Sequence, residues 1–249
     1  MKNVLELKNV SLTYQTIERE VNAISDLSFT VKEGQFVSII GPSGCGKTSV
    51  LSMIAGLIDP TIGKIFIEGK EKTKNCNLGY MLQKDQLFPW RTIEKNIFLP
   101  LEIQKKLTKE NKEFAISLIE KYGLIDFIKS YPGELSGGMR QRAALIRTLV
   151  SKPNLLLLDE PFSALDYQTR LNVTDDVYKI IKNEKKTAVL VTHDVSEAIS
   201  MSDIIIVLTE RPAHIKSVFS PPFTNLTPIS RRENKEFSVW FEKIYKELH

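Results

Sequence analysis

No run of about 18 consecutive apolar residues occurs, the length a membrane-spanning helix needs, so the chain is not expected to cross a bilayer. The opening residues Met1-Lys2-Asn3-Val4-Leu5-Glu6 also lack the apolar stretch and small-residue cleavage site of a secretory leader, which sets the expectation of a cytoplasmic protein. Cysteine is scarce. Cys45 and Cys76 stand in unlike settings, too few for a disulfide framework or a cysteine metal site, and both are expected to be free thiols. Neither sign of charge prevails: 34 basic residues are interspersed with 30 acidic ones, for a net charge of +4. Without a basic stripe, no nucleic-acid partner is expected. There is no internal repeat and no low-complexity tract.

What is present suffices for a substantial core, since 249 residues at 42% hydrophobic content can build one large domain or two small ones. Residues 35–40, 154–158, 187–191 and 203–208 are short apolar runs bounded by turn or helix signals, as buried parallel strands are. A helical pattern at 165–183 lies between two of them, so strands and helices alternate as in an α/β fold. Residues 4–14, 23–31 and 64–68 alternate more clearly, which predicts a small antiparallel sheet beside the parallel core. From about 84 to 150 the pattern is mainly helical. Thr108 can cap one helix there and Gly123 can end it, so the region is expected to be an inserted helical subdomain. After Ser220-Pro221-Pro222 the character changes again. Phe237, Trp240, Phe241, Ile244, Tyr245 and Leu248 recur at helical spacing, which predicts an amphipathic helix docked on the chain's own core, with a partner or regulatory role as the alternative. The expected division is one main domain at 1–220 and an extension at 221–249.

Gly41-Pro42-Ser43-Gly44-Cys45-Gly46-Lys47-Thr48 fits the phosphate-loop pattern, and it lies where that pattern must, after a strand and before the helical residues 48–57. Glycines let backbone N–H groups approach phosphate oxygens, the helix N-terminus adds partial positive charge, Lys47 adds a full one, and the Thr48 hydroxyl can ligate Mg²⁺. Leu155-Leu156-Leu157-Leu158-Asp159-Glu160 is an apolar strand ending in two acids. Such an arrangement can hold Mg²⁺ through Asp159 and turn Glu160 toward an attacking water. His193 follows another strand of the same predicted sheet, at the edge where open α/β folds bind ligands. Gln83 ends the strand-like residues 78–82 and can reach metal or water, and Tyr14 follows the first strand and can stack on adenine.

These residues, taken with Leu135-Ser136-Gly137-Gly138-Met139-Arg140-Gln141-Arg142 and Ser163-Ala164-Leu165-Asp166, resemble in order and spacing the motif set of an ABC transporter ATP-binding subunit, over roughly residues 4–217. The resemblance implies a P-loop NTPase of α/β class: a RecA-like parallel core, an N-terminal antiparallel β subdomain and an inserted helical subdomain. It implies ATP and Mg²⁺ as cofactors, with Gly41, Ser43, Gly44, Cys45, Gly46, Lys47, Thr48 and Ser49 around the phosphates, and Thr48, Gln83 and Asp159 on the metal. Tyr14 becomes the adenine-stacking aromatic, Gln83 the Q-loop glutamine, Glu160 the catalytic base and His193 the switch histidine, while Asp166 belongs to the loop joining two active sites. Ser136, Gly137 and Gly138 contact the γ-phosphate held by a second copy, so the implied assembly is a head-to-tail dimer.

The implied setting is the inner face of the cell membrane, beneath two transmembrane permease subunits served by a solute-binding protein. Gln83 to Thr92, which includes Phe88-Pro89-Trp90, together with Tyr131-Pro132 and Glu210-Arg211-Pro212-Ala213-His214-Ile215, is similar to cassettes of nitrate, sulfonate and taurine importers. Importers of thiamine pyrimidine precursors look alike, and an exporter cassette is the further alternative, against which Phe88-Pro89-Trp90 speaks. Two positions depart from the pattern: Ser49 replaces a usual threonine, and His214 stands where the subgroup often has arginine.

Overall fold

The computed structural model describes residues 2–15, 19–73, 76–223 and 225–248; the terminal positions 1 and 249 of the expected division lie outside the described residues. Strands β1 (Asn3–Gln15) and β2 (Glu20–Lys32) pair antiparallel. The chain then passes through β3 (Phe36–Ile40) and helix α1 (Lys47–Ala55) and returns in β4 (Ile62–Ile67) and β5 (Lys70–Glu71), completing a four-stranded sheet in the order β2-β1-β4-β5. The expected antiparallel sheet is therefore present.

Strands β6 (Leu78–Met81), β7 (Leu155–Asp159), β8 (Thr187–Val191), β9 (Ile204–Leu208) and β10 (Ile215–Phe219) join β3 in a second sheet, ordered β10-β9-β3-β8-β7-β6. All its pairings are parallel except β10 with β9, which is antiparallel. Strands β3, β7 and β8 are buried along their whole length, as strands covered on both faces must be. Their side chains divide by parity, because successive residues of a strand point to opposite faces. Leu156, Leu158, Ala188 and Leu190 enter the core beneath the helices, whereas Leu155, Leu157, Val189 and Val191 enter the core against the antiparallel sheet and α1.

Between β6 and β7 the chain forms α2 (Ile93–Ile103), α3 (Lys109–Lys121) and α4 (Gly137–Leu149), so the expected helical stretch is observed. Thr108 caps α3 as expected, its hydroxyl accepting from Asn111 N–H, and Gly123 takes φ +71° just beyond the helix. Helix α5 (Tyr167–Asn183) links β7 to β8, and α6 (Val195–Met201) links β8 to β9. Capping explains where the helix bounds differ from expectation. The Asp166 carboxylate accepts from Thr169 N–H, so α5 starts at Tyr167 and not at Leu165. Ser136 Oγ accepts from Met139 N–H, which places Gly137 and Gly138 inside the first turn of α4. Gly56, at φ +78°, stops α1 two residues early.

The chain closes with α7 (Pro228–Arg232) and α8 (Phe237–Leu248). Helix α8 lays Ile244, fully buried, with Phe237, Trp240, Phe241 and Leu248 against Ile40, Val195, Ile199, Ile205, Val207 and Phe223. Docking on the chain's own core is thus observed. Tyr245 departs from the predicted stripe: it sits at the edge of that face, 47% exposed, and stacks on Phe241. Arg231 is buried as deeply as the core leucines, and it donates to Ser202 O at 2.8 Å, Tyr178 Oη at 3.1 Å and Leu226 O at 3.2 Å. A buried guanidinium is tolerated only when its donors are satisfied in this way.

Candidate active site

The turn between β3 and α1 wraps the N-terminus of α1. Gly44 and Gly46 adopt φ +75° and +120°, backbone that a side chain would strain, so this path over the helix end needs glycine at both positions. Lys47 Nζ donates to Gly41 O at 2.8 Å and Pro42 O at 2.9 Å, closing the loop on itself. Cys45 lies buried under the loop, so close to Gly41 that a Cβ there would stand 3.0 Å from the Cys45 sulfur. Cys45 and Cys76 are both free thiols.

At the end of β7, Thr48 Oγ1 donates to Asp159 Oδ1 at 3.2 Å and Tyr80 Oη donates to Asp159 Oδ2 at 3.3 Å. Burial pushes the Asp159 carboxyl up from the ordinary aspartate range, against the pull of these two hydrogen bonds. The Tyr80 phenol is pushed up to about 12 by its own burial and by Asp159, so it stays a donor. Thr48 and Asp159 bring hard oxygen donors together next to a loop at the N-terminus of α1. That chemistry fits a magnesium nucleotide. Glu160 follows in the left-handed region, φ +44°, an uncommon conformation for a residue with a side chain, and its Oε2 lies 3.0 Å from His193 Nδ1.

Ser43, Gly44, Gly46, Lys47, Thr48, Ser49, Glu160 and His193 line one cleft of about 500 Å³. A slightly larger cleft, about 550 Å³ beside Tyr178, has its charged lining already paired, Lys182 with Asp203 and Arg231 with Ser202 and Tyr178. Tyr14, at the end of β1, bonds Ser49 Oγ through its hydroxyl at 2.9 Å, which anchors its ring beside the first turn of α1. Gln83 does not line the cleft; it is exposed, and its Nε2 donates to Ser163 Oγ, which in turn donates to Glu160 O. Ser136, Gly137 and Gly138 also lie outside the cleft, with Ser136 exposed. Gly138 is buried for a further reason: a Cβ on it would stand 2.7 Å from Val173 Cγ2 of α5.

Three residues escaped the sequence reading. Arg211 also lines the cleft, although its segment carries only a subgroup resemblance in the sequence. Tyr80 reaches Asp159 because β6 pairs with β7 in a register placing Tyr80 beside Leu157, which no local pattern encodes. Asn96, fully buried, accepts from Phe88 N–H and donates to the carbonyls of Phe88, Arg91 and Thr92. It thereby holds out the Phe88-Pro89-Trp90 turn, where the two rings stack at 5.0 Å and Trp90 is 71% exposed. Its proximity to that run was the available signal. Helix α4 grips the same segment: Arg140 pairs with Asp85 at 3.2 Å, and Arg147 donates to the carbonyls of Asp85 and Gln86.

Comparison with known proteins gives a consistent result. A family model described as ABC transporter matches residues 24–163. The chain is 50% identical over 248 residues to an uncharacterized ABC transporter ATP-binding protein, YtlC, of Bacillus subtilis (strain 168), covering 98% of this chain and 95% of that protein. It is 38% identical over 245 residues to the aliphatic sulfonates import ATP-binding protein SsuB of Bacillus cereus (strain ZK / E33L), covering 98% and 94%. It is 41% identical over 214 residues to the formylaminopyrimidine import ATP-binding protein ThiZ of Halalkalibacterium halodurans, covering 86% and 83%. Among solved structures it resembles the dimeric post-hydrolysis state of the ATP-binding cassette MJ0796 bound to ADP and Pi, with TM-score 0.72 and 30% identity, over 87% of this chain and 98% of that one.

Proposed function

Because the chain belongs to the ABC transporter family as an ATP-binding subunit of importer type, we propose that it drives uptake of a small anion, nitrate, sulfonate, taurine or a relative of these. It is an ATPase, and ATP is its nucleotide. In this reading Lys47 exchanges its bonds to Gly41 and Pro42 for phosphate oxygens, alongside the N–H groups of the loop from Gly41 through Ser43, Cys45 and Gly46 to Ser49. Thr48 and Asp159 would hold Mg²⁺, and Gln83, released from Ser163, would join them. Tyr14 stacks on the adenine. The bound magnesium nucleotide supplies the phosphoanhydride to be broken and the cationic charge that favours the ionised form of Asp159. Glu160 accepts the proton of the attacking water, and His193, held against it, orients the γ-phosphate.

One observation carries the two-copy part of this reading: Ser136, Gly137 and Gly138 complete the motif set yet lie outside the cleft of their own chain. A second copy, docked head to tail, brings them to that cleft, so nucleotide closes the dimer and hydrolysis allows it to reopen. The stacked Phe88 and Trp90 give an apolar surface for two permease subunits, fed by a solute-binding protein, with the subunit on the inner face of the membrane. No helix among the described residues is long and apolar enough to cross the membrane itself. Residues 1–220 form the ATPase domain in this scheme, with 84–150 as its permease-facing insert and 221–249 as an extension. A second reading, uptake of a thiamine pyrimidine precursor, is favoured by the 41% identity to the formylaminopyrimidine subunit. The test is Glu160→Gln: with ATP and Mg²⁺ this variant should elute from gel filtration as a dimer and without ATP as a monomer. A monomer in both conditions refutes ATP-driven closure of the isolated subunit.

A further inference from the structure

A compact charged cluster brackets the loop that carries His193. At its centre is Arg170, in the first turns of α5. One guanidinium nitrogen donates to Leu165 O at 2.8 Å, holding the backbone of the loop that presents Asp166. A second nitrogen faces Asp194 Oδ2 at 3.6 Å, and Nε faces Glu197 Oε1 at 3.9 Å. Asp194 and Glu197 flank the other loop. The Thr192 hydroxyl donates to Glu197 Oε2 at 2.7 Å and accepts from Asp194 N–H at 3.1 Å, so the backbone on both sides of His193 is pinned to Glu197. Asp194 also caps α6 by accepting from Ser196 and Glu197 N–H. One planar cation thus spans the Asp166 loop and the His193 loop.

We propose that Arg170 and Glu197 are positioning residues that tie the Asp166 loop to the His193 loop, so that closure on a partner copy and placement of His193 occur together. The proposal rests on the role given to His193 above. The clamp is only partly engaged in this structure: Arg170 Nε is buried without a hydrogen-bond partner, and its facing carboxylate oxygen is 3.9 Å away. Such a donor gains a charge-assisted hydrogen bond from a movement of about 1 Å, a discrete second arrangement for the two loops. The extension contributes as well. Arg232 of α7 is desolvated against Asp194, Glu197 and Tyr167, and its guanidinium reaches Ser200 Oγ at 3.5 Å.

Glu197 is pushed up to about 6 by its burial, and Asp194 reinforces the shift, while Thr192, Arg170 and His193 oppose it. With Arg232 these are the groups facing it from β8, α5, α7 and its own loop. The carboxylate that engages Arg170 is therefore present above pH 6 and lost below it.

The experiment measures ATP hydrolysis by the full chain, with kcat and KM separated, for Glu197→Gln, Arg170→Met and their double variant, each with a melting curve, and His193→Ala as the reference. Glu197→Gln keeps an acceptor for Thr192 but loses the charge. Each single variant should lower kcat about ten- to a hundredfold with KM for ATP within about twofold, the signature of misplacement and not of lost binding. The double variant should be no worse than the poorer single. Glu197→Gln should also erase the fall in kcat below pH 6 without lowering the melting temperature at pH 7.5. Singles that multiply in the double, or a kcat loss that merely tracks a lowered melting temperature, overturn the proposal. If His193→Ala abolishes hydrolysis while the clamp variants keep wild-type kcat, the clamp alone is wrong; if His193→Ala hydrolyses normally, the reading of His193 fails and takes the clamp with it.

Discussion

Gly138 carries two demands that one pair of substitutions separates. In the ATPase reading, its backbone must come close to a phosphate on another copy. In the structure, its missing side chain is already required by Val173, which is 4% exposed on α5. A methyl built on Gly138 stands 2.7 Å from Val173 Cγ2, about 1 Å inside ordinary carbon contact. Valine in a helix has essentially one χ1 rotamer, so it cannot turn aside, and α4 or α5 must shift. Overpacking of this size costs about 1–3 kcal/mol. Part of that is masked in Gly138→Ala, because alanine is the better helix former by up to about 1 kcal/mol. A double-mutant cycle with Val173→Ala cancels the propensity. Val173→Ala alone should cost about 2 kcal/mol in lost burial and cavity, and the added methyl of the double variant then occupies the vacated space. The cycle should show a coupling of about 1–3 kcal/mol in urea melts with matched slopes. Additivity within about 0.5 kcal/mol refutes the packing contact. Hydrolysis by the double variant decides the rest: restored stability with activity still lost supports the phosphate contact, and recovery of both refutes it for Gly138.

Two further predictions concern stability. Ile244→Ala should cost about 2–5 kcal/mol, and deletion of every residue after Pro222 should lower the melting temperature far more, because it strips cover from Ile40, Ile205 and Val207; a truncated chain that melts with the full one refutes the docking of α8. The Glu197 carboxyl, raised from 4.5 to about 6, stabilises the fold most when protonated, so its contribution is full below pH 4.5 and lost as pH rises through 6. Relative to Glu197→Gln, the wild type should lose roughly 2 kcal/mol in urea melts between pH 4.5 and 7, and a pH-independent difference refutes this.

Features that depend on neighbouring residues were legible in the sequence. Four leucines ending in Asp159 and Glu160, the phosphate loop between a strand and a helix, and, Tyr245 apart, the stripe from Phe237 to Leu248 fold as their local patterns dictate. Features that depend on register and on which surfaces meet were not. The hydrogen bond of Tyr80 to Asp159 follows from pairing of β6 with β7 across the whole helical insert, and the contact of Gly138 with Val173 from the approach of two helices. Arg231 sits in the polar run Ser230-Arg231-Arg232-Glu233, whose composition reads as solvated surface. Only the tertiary fold surrounds its guanidinium with Ser202, Tyr178 and Leu226. Ser136 is a different case: its motif is plain, but the use proposed for it requires a second molecule.

Under the proposed function, the two carbonyls that hold Lys47 bear on how a spent nucleotide departs. A buried ammonium that had only phosphate for a partner would be stranded when that phosphate left, and the cost of stranding would slow every release. Gly41 O and Pro42 O give Lys47 a place to return to within its own loop, at 2.8 and 2.9 Å. In the proposed function, departure is then a swap of one set of oxygens for another, and the ammonium keeps hydrogen-bond partners throughout.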